Sequence, residues 1–203
     1  MGVTATRIGC DNAVVAKLTE GVDGTPTYSE VLALPGLIKM SVNPNASLDT
    51  LFFDDGPGDT AATTGKIEVE FEKNALSIAE KAYILGHTLD ANEVLIYGAN
   101  DVPVWLALGF RSLKANGTYI YVWLLKGKFS DPETQNETKG DSISFQTDTI
   151  KGQFVKLNKG YTIGGKTIKP YKMEADEENE GTLPATLASW FTTPVLPAAT
   201  ATV

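Results

Sequence analysis

GFRSLKANGTYIYVWLLKGKF, residues 109–129, predicts a long antiparallel β-hairpin. Both of its arms are rich in β-branched and aromatic residues, which favour strands. Between the arms lies Asn116-Gly117, and Asn-Gly is the strongest short hairpin signal because both turn residues accept a positive φ. We therefore predict strands over 102–112 and 118–129, in a chain built mainly of antiparallel sheet.

Residues 66–73, KIEVEFEK, show the clearest strand pattern on either side of this hairpin. Apolar and acidic residues alternate strictly, which is the period-two pattern of a strand with one buried face. The other face carries the three carboxylates of Glu68, Glu70 and Glu72. Further strands are predicted at 13–20, 36–44, 93–98, 142–147 and 149–158.

One central helix is predicted, over 77–85. Ser77 and Glu80 have the spacing of a capping box, in which each side chain satisfies a free amide at the start of the helix. Gly86 supplies a left-handed stop. Ile78, Ala82 and Leu85 are expected to share the face that packs on a sheet.

The predicted fold class is mainly β, with two packed antiparallel sheets in a β-sandwich, one flanking helix, and extended arms or loops. The first ten residues are predicted to form an arm. Residues 54–65 are rich in Gly, Pro and Thr and are predicted to form a long exposed loop. The run from Glu174 to Glu180 is interpreted as a solvated linker.

Residues 160–167, GYTIGGKT, match the phosphate-loop pattern G-x-x-x-x-G-K-[ST]. The pattern has meaning only where a helix opens at the lysine. Pro170 would fall in the first turns of such a helix, where it removes a donor and clashes. The near-mirrored flanks of Gly164-Gly165 instead predict a hairpin with a two-residue turn.

Composition excludes several classes of function. The net charge is −8, so the chain lacks the basic surface typical of proteins that hold nucleic acid tightly. Cys10 and His87 are the only residues of their types, which excludes a disulfide within the chain and the usual Cys/His zinc sites. No apolar run has the length of a membrane span, and the N-terminus does not resemble a signal peptide, so we expect assembly in the cytoplasm.

Three other groups of residues share features with known kinds of site. Asp54, Asp55 and Asp59 lack the spaced oxygens and terminal Glu of a calcium loop. The row of three glutamates could contain a catalytic carboxylate pair, but one face of a strand is the simpler interpretation. The aromatic residues could form a sugar-binding platform or part of a sandwich core, and the core is favoured; they are Trp105, Tyr119, Tyr121 and Trp123.

Four stretches together resemble the major tail protein family of long-tailed phages of Gram-positive bacteria. They are NPNASLDTLFFDDGP (43–57), the capped helix ending in LGH (85–87), residues 109–129, and FQTDTIKGQFVK (145–156). The similarity spans about residues 10–175 in the same order and spacing. The segment 176–203 is less characteristic.

The resemblance implies a tail tube subunit that assembles into hexameric rings, stacked as a conduit for DNA. It implies a domain over 1–175 with an N-terminal arm and an inter-subunit loop at 44–65, followed by an acidic linker and C-terminal arm over 176–203. It implies no catalytic residue, cofactor or membrane. The implied partners are other copies of the chain, tape-measure and tail terminator or baseplate proteins, and DNA in passage. The implied location is the virion tail, assembled in the host cytoplasm.

Physical arguments connect particular residues to this function. Unpaired sheet edges invite pairing with another chain, and a ring can satisfy every edge. The loop at 44–65, with Asp54, Asp55 and Asp59, would then be an arm between subunits. Because like charge disfavours adhesion within a Debye length of about 10 Å, the glutamate row is predicted to face the lumen. An outer solvated face is the alternative.

Three other functions stay open on the sequence. One is the tube protein of a contractile tail or of a tail-like bacteriocin, which a neighbouring sheath gene would reveal. Another, from a different class, is a β-sandwich carbohydrate-binding or adhesion module, which should remain monomeric and bind glycans. A hydrolase on a β scaffold is third: the scarcity of His and Cys and the lack of a nucleophile motif count against it, but an all-carboxylate site stays open.

Overall fold

The computed structural model describes residues 5–53, 56–132, 146–179, 181 and 184–198, with backbone alone at 47–64 and 184–185. Its described residues form fifteen strands and two helices. The mainly β class predicted from the sequence is confirmed. The elements are β1 Arg7–Glu20, β2 Pro26–Tyr28, β3 Leu32–Ala33, β4 Leu37–Asn43, β5 Ala46–Phe53, β6 Gly56–Thr64, β7 Ile67–Lys73, α1 Ile78–Leu85, β8 Thr88–Leu89, β9 Leu95–Ile96, β10 Leu106–Lys114, β11 Tyr119–Phe129, β12 Asp148–Phe154, β13 Tyr161–Ile163, β14 Lys166–Ile168, β15 Lys172–Asp176 and α2 Pro184–Ala188.

Nine strands form one antiparallel sheet, in the order β2-β1-β10-β11-β12-β7-β4, with β3 pairing β1 and β15 pairing β11. The long strand β11 joins two layers of this sheet. Residues 120–124 pair with β15, whereas residues 127–129 pair with β12. The two packed layers expected from the sequence are therefore parts of one continuous sheet.

The core lies between these two layers. The β1-β10-β11 layer contributes Val15, Leu108 and Leu124, and the β12-β7-β4 layer contributes Phe71 and Ile150; each is at most 1% exposed. Their burial follows from the alternation in the sequence, since apolar residues at every second position lie on one face of a strand. Hydrophobic burial of this kind is the main force that holds the layers together.

The two layers meet around a group of aromatic rings and glycines. The Phe129 ring contacts the Phe71 and Phe154 rings edge-on, at centroid distances of 5.4 and 5.6 Å. The register pairs Gly127 with Phe154 and Phe129 with Gly152. A Cβ at either glycine would overlap the facing ring. Both positions therefore need glycine, so that the rings can lie directly over the backbone.

Helix α1 begins and ends as the sequence predicts. Ser77 Oγ accepts from the Glu80 amide at 3.2 Å, and Glu80 Oε2 accepts from the Ser77 amide at 2.7 Å. Gly86 ends the helix with a φ of 81°. The expected buried face is partly wrong, because Ile78 is exposed and the buried residues are Glu80, Ile84 and Leu85. Glu80 can be buried because the Lys73 ammonium lies 2.8 Å from its carboxylate.

Several predicted boundaries are corrected by the strand pairing. The first ten residues are not wholly an arm, since β1 begins at Arg7 and pairs with β10. The domain boundary placed after residue 175 falls inside β15, and the chain has a second helix, α2. Of the strand predicted at 142–147, residues 142–145 lie outside the described residues, and residues 146–147 are not in a strand.

The C-terminal segment covers the outer face of the β1-β10-β11 layer. Trp190 is 3% exposed and packs in a second apolar cluster with Ala107, Trp123 and Leu125. The indole Nε1 of Trp123 donates to the Trp190 carbonyl at 2.7 Å. The described part of the predicted C-terminal arm, residues 184–198, therefore contributes to the body of the domain.

Candidate assembly surfaces

Strands β5 and β6 form a hairpin that is separate from the nine-stranded sheet. They pair with each other from Ala46 and Thr64 to Phe53 and Gly56, with an irregularity near Leu51. At the usual rise per residue, eight residues make this hairpin about 27 Å long. The prediction of a loop over 54–65 is wrong, because 56–64 is the return strand of the hairpin.

The base of the hairpin is fixed by a polar turn between β4 and β7. Asn45 has a φ of 44°, and its Nδ2 donates to the Lys66 carbonyl at 3.0 Å. The Asn45 amide donates to Asn43 Oδ1 at 3.0 Å, and the Gly65 amide donates to the Asn45 carbonyl at 3.3 Å. These bonds hold the two ends of the hairpin side by side where it leaves the sheet.

Among the strands that the structure describes, none pairs with either edge of the hairpin, so it has little to stabilise it alone. A two-stranded hairpin is marginally stable at best in water. Unpaired strand edges also favour pairing with another chain. Of the predicted arm residues, Asp59 lies in β6 and pairs with Leu51 of β5. Asp54 and Asp55 lie outside the described residues. The hairpin is therefore a two-stranded sheet that the nine-stranded sheet does not extend.

The predicted glutamate row lies on the outer face of β7, opposite the buried Ile67, Val69 and Phe71. Glu68 is exposed, and Glu70 and Glu72 are half-buried. The alternation expected from the sequence is thus confirmed. We call the surrounding surface the polar face; its residues are Lys39, Ser41, Asn43, Glu68, Glu70, Glu72, Thr149, Lys151 and Gln153.

The polar face is mixed in charge and not purely acidic. Lys151 pairs with Glu70 in register, with Nζ 3.8 Å from Oε2, and Lys39 pairs with Glu72 in register. Thr147 Oγ1 donates to Glu72 Oε1 at 2.6 Å. A groove of about 600 Å³ crosses this face. Because lysines from β4 and β12 flank the glutamates, the face repels a polyanion less than its acidic strand alone would.

The aromatic residues do not form a sugar-binding platform. Trp123 is buried, and the Trp105 ring has the ammonium groups of Lys126 and Lys128 over it, at 4.8 and 4.6 Å from its centroid. The Arg111 guanidinium covers Tyr119 at 4.1 Å. The core interpretation is confirmed for Trp123 alone, since Trp105 is exposed and Tyr119 and Tyr121 are half-buried.

The GYTIGGKT segment is a hairpin, as predicted. β13 and β14 pair from Tyr161 and Ile168 to Ile163 and Lys166. Gly164 and Gly165 have φ values of 56° and 78°, so both turn residues adopt the left-handed conformation. A strand, and no helix, follows the turn, so the segment lacks the helix N-terminus with which a phosphate loop holds phosphate.

His87 lies in a carboxylate clamp and not beside Cys10. Its Nδ1 is 2.6 Å from Asp101 Oδ2, and its Nε2 is 2.7 Å from Asp131 Oδ1. Burial disfavours the charged ring, but the hydrogen bonds to the two carboxylates outweigh it and raise the pKa of His87. Cys10 lies on β1 near Met40, and burial raises the pKa of its thiol. Cys10 and His87 therefore do not form a nucleophile–base pair of the kind that activates a thiol.

The raised pKa predicts how stability depends on pH. A group whose pKa is higher in the folded state stabilises that state fully at pH values below its pKa in the unfolded state, which is 6.5 for histidine. This stabilisation is lost as the pH rises through the pKa of the folded state. We expect the difference in free energy of unfolding between wild type and His87→Gln to shrink as pH rises above 6.5. Chemical denaturation at several pH values measures this difference. Asp131→Asn removes one of the two carboxylates, so its difference from wild type should change less steeply with pH. A difference that is constant or grows over this range would contradict the clamp.

A second ionic cluster was not predicted from the sequence. The Lys114 side chain is 0% exposed, and its Nζ is 2.6 Å from Asp176 Oδ1 and 2.5 Å from Glu178 Oε2. Arg7 binds Glu174 at 3.1 Å. The acidic run is therefore not a solvated linker throughout, since part of it is bound to β1, β10 and β11. The sequence signal that could have indicated this cluster is the position of Lys114 in a strand, with apolar residues beside it.

Within the described part of the chain, no cluster of three or more metal-ligating side chains is present. None of the helices described there has the length and apolar character needed to cross a membrane. No protein-family model matches the chain, and no curated protein matches it either.

Proposed function

We propose that this chain is the tube subunit of a long phage tail, a structural protein that assembles into stacked, hexameric rings around a channel for DNA. The single observation that carries the proposal is the β5–β6 hairpin, a two-stranded sheet of its own that extends from the domain. Its free edges and its marginal stability in isolation favour completion by another copy. The resemblance in sequence to the tail tube family supports the same role.

The nine-stranded sheet also has edge strands through which neighbouring copies in a ring could pair. In the described part of the chain, β4 has β7 as its one pairing strand at one edge of the nine-stranded sheet, and β2 has β1 at the other. When subunits are related by rotation about one axis, each presents one side to the next copy, so such contacts close into a ring. Neighbouring sheets could then join into one barrel around the channel.

Negative-stain microscopy of the purified, concentrated protein tests this function. Rings or tubes of uniform diameter are the expected result. A protein that stays monomeric at every concentration and salt condition, and binds glycans on an array, would instead indicate the carbohydrate-binding alternative. A tube formed by this protein alone is expected for both sheathed and unsheathed tails. A sheath gene beside the gene for this chain would indicate a contractile tail or a tail-like bacteriocin.

The lumen-facing position of Glu68, Glu70 and Glu72 stays a prediction. Its basis is their outward position on β7, and the lysines beside them reduce the repulsion on which it first rested. We expect a reconstruction of the assembled tube to place these three side chains on the channel wall. Density for them on the outer wall would contradict the prediction without affecting the proposed tube.

A further inference from the structure

Charge is distributed unequally between two hairpins of this chain. Residues 46–64, which form β5 and β6, contain four aspartates and no lysine or arginine. Residues 151–172, which include β13 and β14, contain six lysines and no aspartate or glutamate. In a protein of net charge −8, a segment of this kind is the main concentration of positive charge.

Three of the six lysines of the second segment are available for a partner, since Lys151, Lys159 and Lys172 form ion pairs within the chain. Lys156, Lys166 and Lys169 are exposed, and none of them forms an ion pair with any residue that the structure describes. Val155 and Ile168 add apolar area, with 36% and 41% exposure. We call these five residues the basic surface. Isolated exposed lysines are ordinary, but three unpaired ones beside apolar side chains form a surface suited to an acidic, partly apolar partner.

Both hairpins leave the sheet at the same end. Phe154, the last residue of β12, is the register partner of Ile67, the first residue of β7. The β5–β6 hairpin precedes Ile67, and the basic surface begins directly after Phe154. Rotation about a ring axis leaves height along that axis unchanged, so in a ring the base of the acidic hairpin of one copy would lie at the level of the start of the basic surface of the next.

We propose that the acidic β5–β6 hairpin of one copy docks on the basic surface of the neighbouring copy in the same ring. This inference rests on the proposed function and names one contact that forms the ring. The occupant is a second copy of this chain, because complementary charge is present on the chain itself. From Asp54 and Asp55, which lie outside the described residues, only their charge is used.

When two different surfaces bind each other, each copy contacts the next in the same head-to-tail direction. Contacts of this heterologous kind produce closed rings or open helices, whereas a twofold contact would stop at a dimer. Complementary charge would also guide the approach of subunits and reject a reversed neighbour. Since exposed charges are screened by salt, assembly is expected to weaken as ionic strength rises.

Charge reversal on both sides tests the contact. The first variant carries Lys156→Glu, Lys166→Glu and Lys169→Glu, and the second carries Asp49→Lys, Asp54→Lys and Asp59→Lys. Each alone is expected to raise the concentration needed for assembly roughly tenfold or more, measured by sedimentation velocity. In a mixture of the two variants, a ring in which they alternate matches every contact, and one chain with all six changes also restores complementarity, so both are expected to assemble again.

A third variant controls for net charge alone. Lys39→Glu, Lys81→Glu and Lys151→Glu make the same change in net charge away from the basic surface. An effect of this control equal to that of the first variant, or failure of the six-fold variant to recover, overturns the docking contact. If wild type itself never assembles, the proposed function fails, so the two failures are distinguishable.

The same variants separate this contact from binding of nucleic acid. A basic hairpin could contact phosphates, and such binding would appear in fluorescence anisotropy with a labelled DNA duplex. If the first variant loses DNA binding while its assembly stays at the level of the control, the basic surface is a nucleic-acid site and the docking contact is wrong. If the first variant loses assembly and the six-fold variant regains it, the result supports docking.

Discussion

A variant lacking residues 46–64 is expected to fold as a stable monomer and to form no rings or tubes. The hairpin is separate from the nine-stranded sheet, so its removal takes no strand from the core. The Asn45 carbonyl and the Gly65 amide are hydrogen-bonded at 3.3 Å, so the two ends can be rejoined with little strain. Circular dichroism and thermal unfolding measure the fold, and negative-stain microscopy measures assembly.

The whole hairpin is removed because a shorter deletion is harder to interpret. Deleting 54–65 would take away β6 and leave β5 with an unpaired edge, which favours aggregation. The matched control replaces Thr60 and Thr63 with Ser, which keeps both strands and the charge of the hairpin. Tubes formed by the deletion variant at wild-type concentrations would show that assembly does not use this hairpin.

Lys114→Met is expected to have the largest effect on stability of any single substitution considered. The ammonium of Lys114 is fully buried and donates to both Asp176 oxygens and to Glu178. Its loss would remove the main cation from two neighbouring carboxylates whose side chains are each 32% exposed. Breaking a buried ion pair on one side is strongly destabilising, so we expect a fall in Tm of roughly 10 °C.

A second variant separates lost charge from lost packing at this position. In Lys114→Met combined with Asp176→Asn and Glu178→Gln, no uncompensated charge remains, so most of the lost Tm should return. Differential scanning calorimetry of both variants measures this. If Lys114→Met alone leaves the Tm within about 1 °C of wild type, the cluster contributes little to the fold.

The cluster also predicts an acid-sensitive attachment of β15. Burial raises the pKa of Asp176, but hydrogen bonds from Lys114 and from the Glu178 amide outweigh it and lower that pKa. A lowered carboxylate pKa means stability that is present above the unfolded value of 3.8 and is lost as pH falls through the folded pKa. The attachment of β15 is therefore full at neutral pH.

Strong local patterns were sufficient for the elements at the centre of the fold. The alternation of 66–73 predicted β7 and its buried face, and Asn116-Gly117 predicted the β10–β11 hairpin. The capping box at Ser77 located the start of α1. In each case the local preference and the final packing agree, so a few residues carry enough information.

Elements that depend on their partner were not predictable in this way. The strand β6, GPGDTAATT, consists largely of residues with weak preference for strands, and its pairing with β5 decides its conformation. The acidic run at 174–180 gives no sign that Lys114 binds part of it, because the β11–β15 pairing brings the two together in the fold.

The candidate surfaces show the same limit. The glutamate row was visible in one strand, but the lysines beside it come from β4 and β12 and depend on register between strands. The aromatic residues at 105 and 123 looked alike in the sequence. Only the C-terminal segment, by covering the outer face with Trp190, distinguishes the buried Trp123 from the exposed Trp105.

Hydrogen–deuterium exchange of residues 46–64 tests most directly whether another copy completes this chain. In dilute, monomeric protein, amides on the free edges of β5 and β6 are expected to exchange fast, while amides of β10 and β11 exchange slowly. In concentrated, assembled protein, we predict that exchange at 46–64 slows by at least about tenfold. Equal exchange of these residues in the monomer and in the assembly would contradict the proposed self-completing tube subunit.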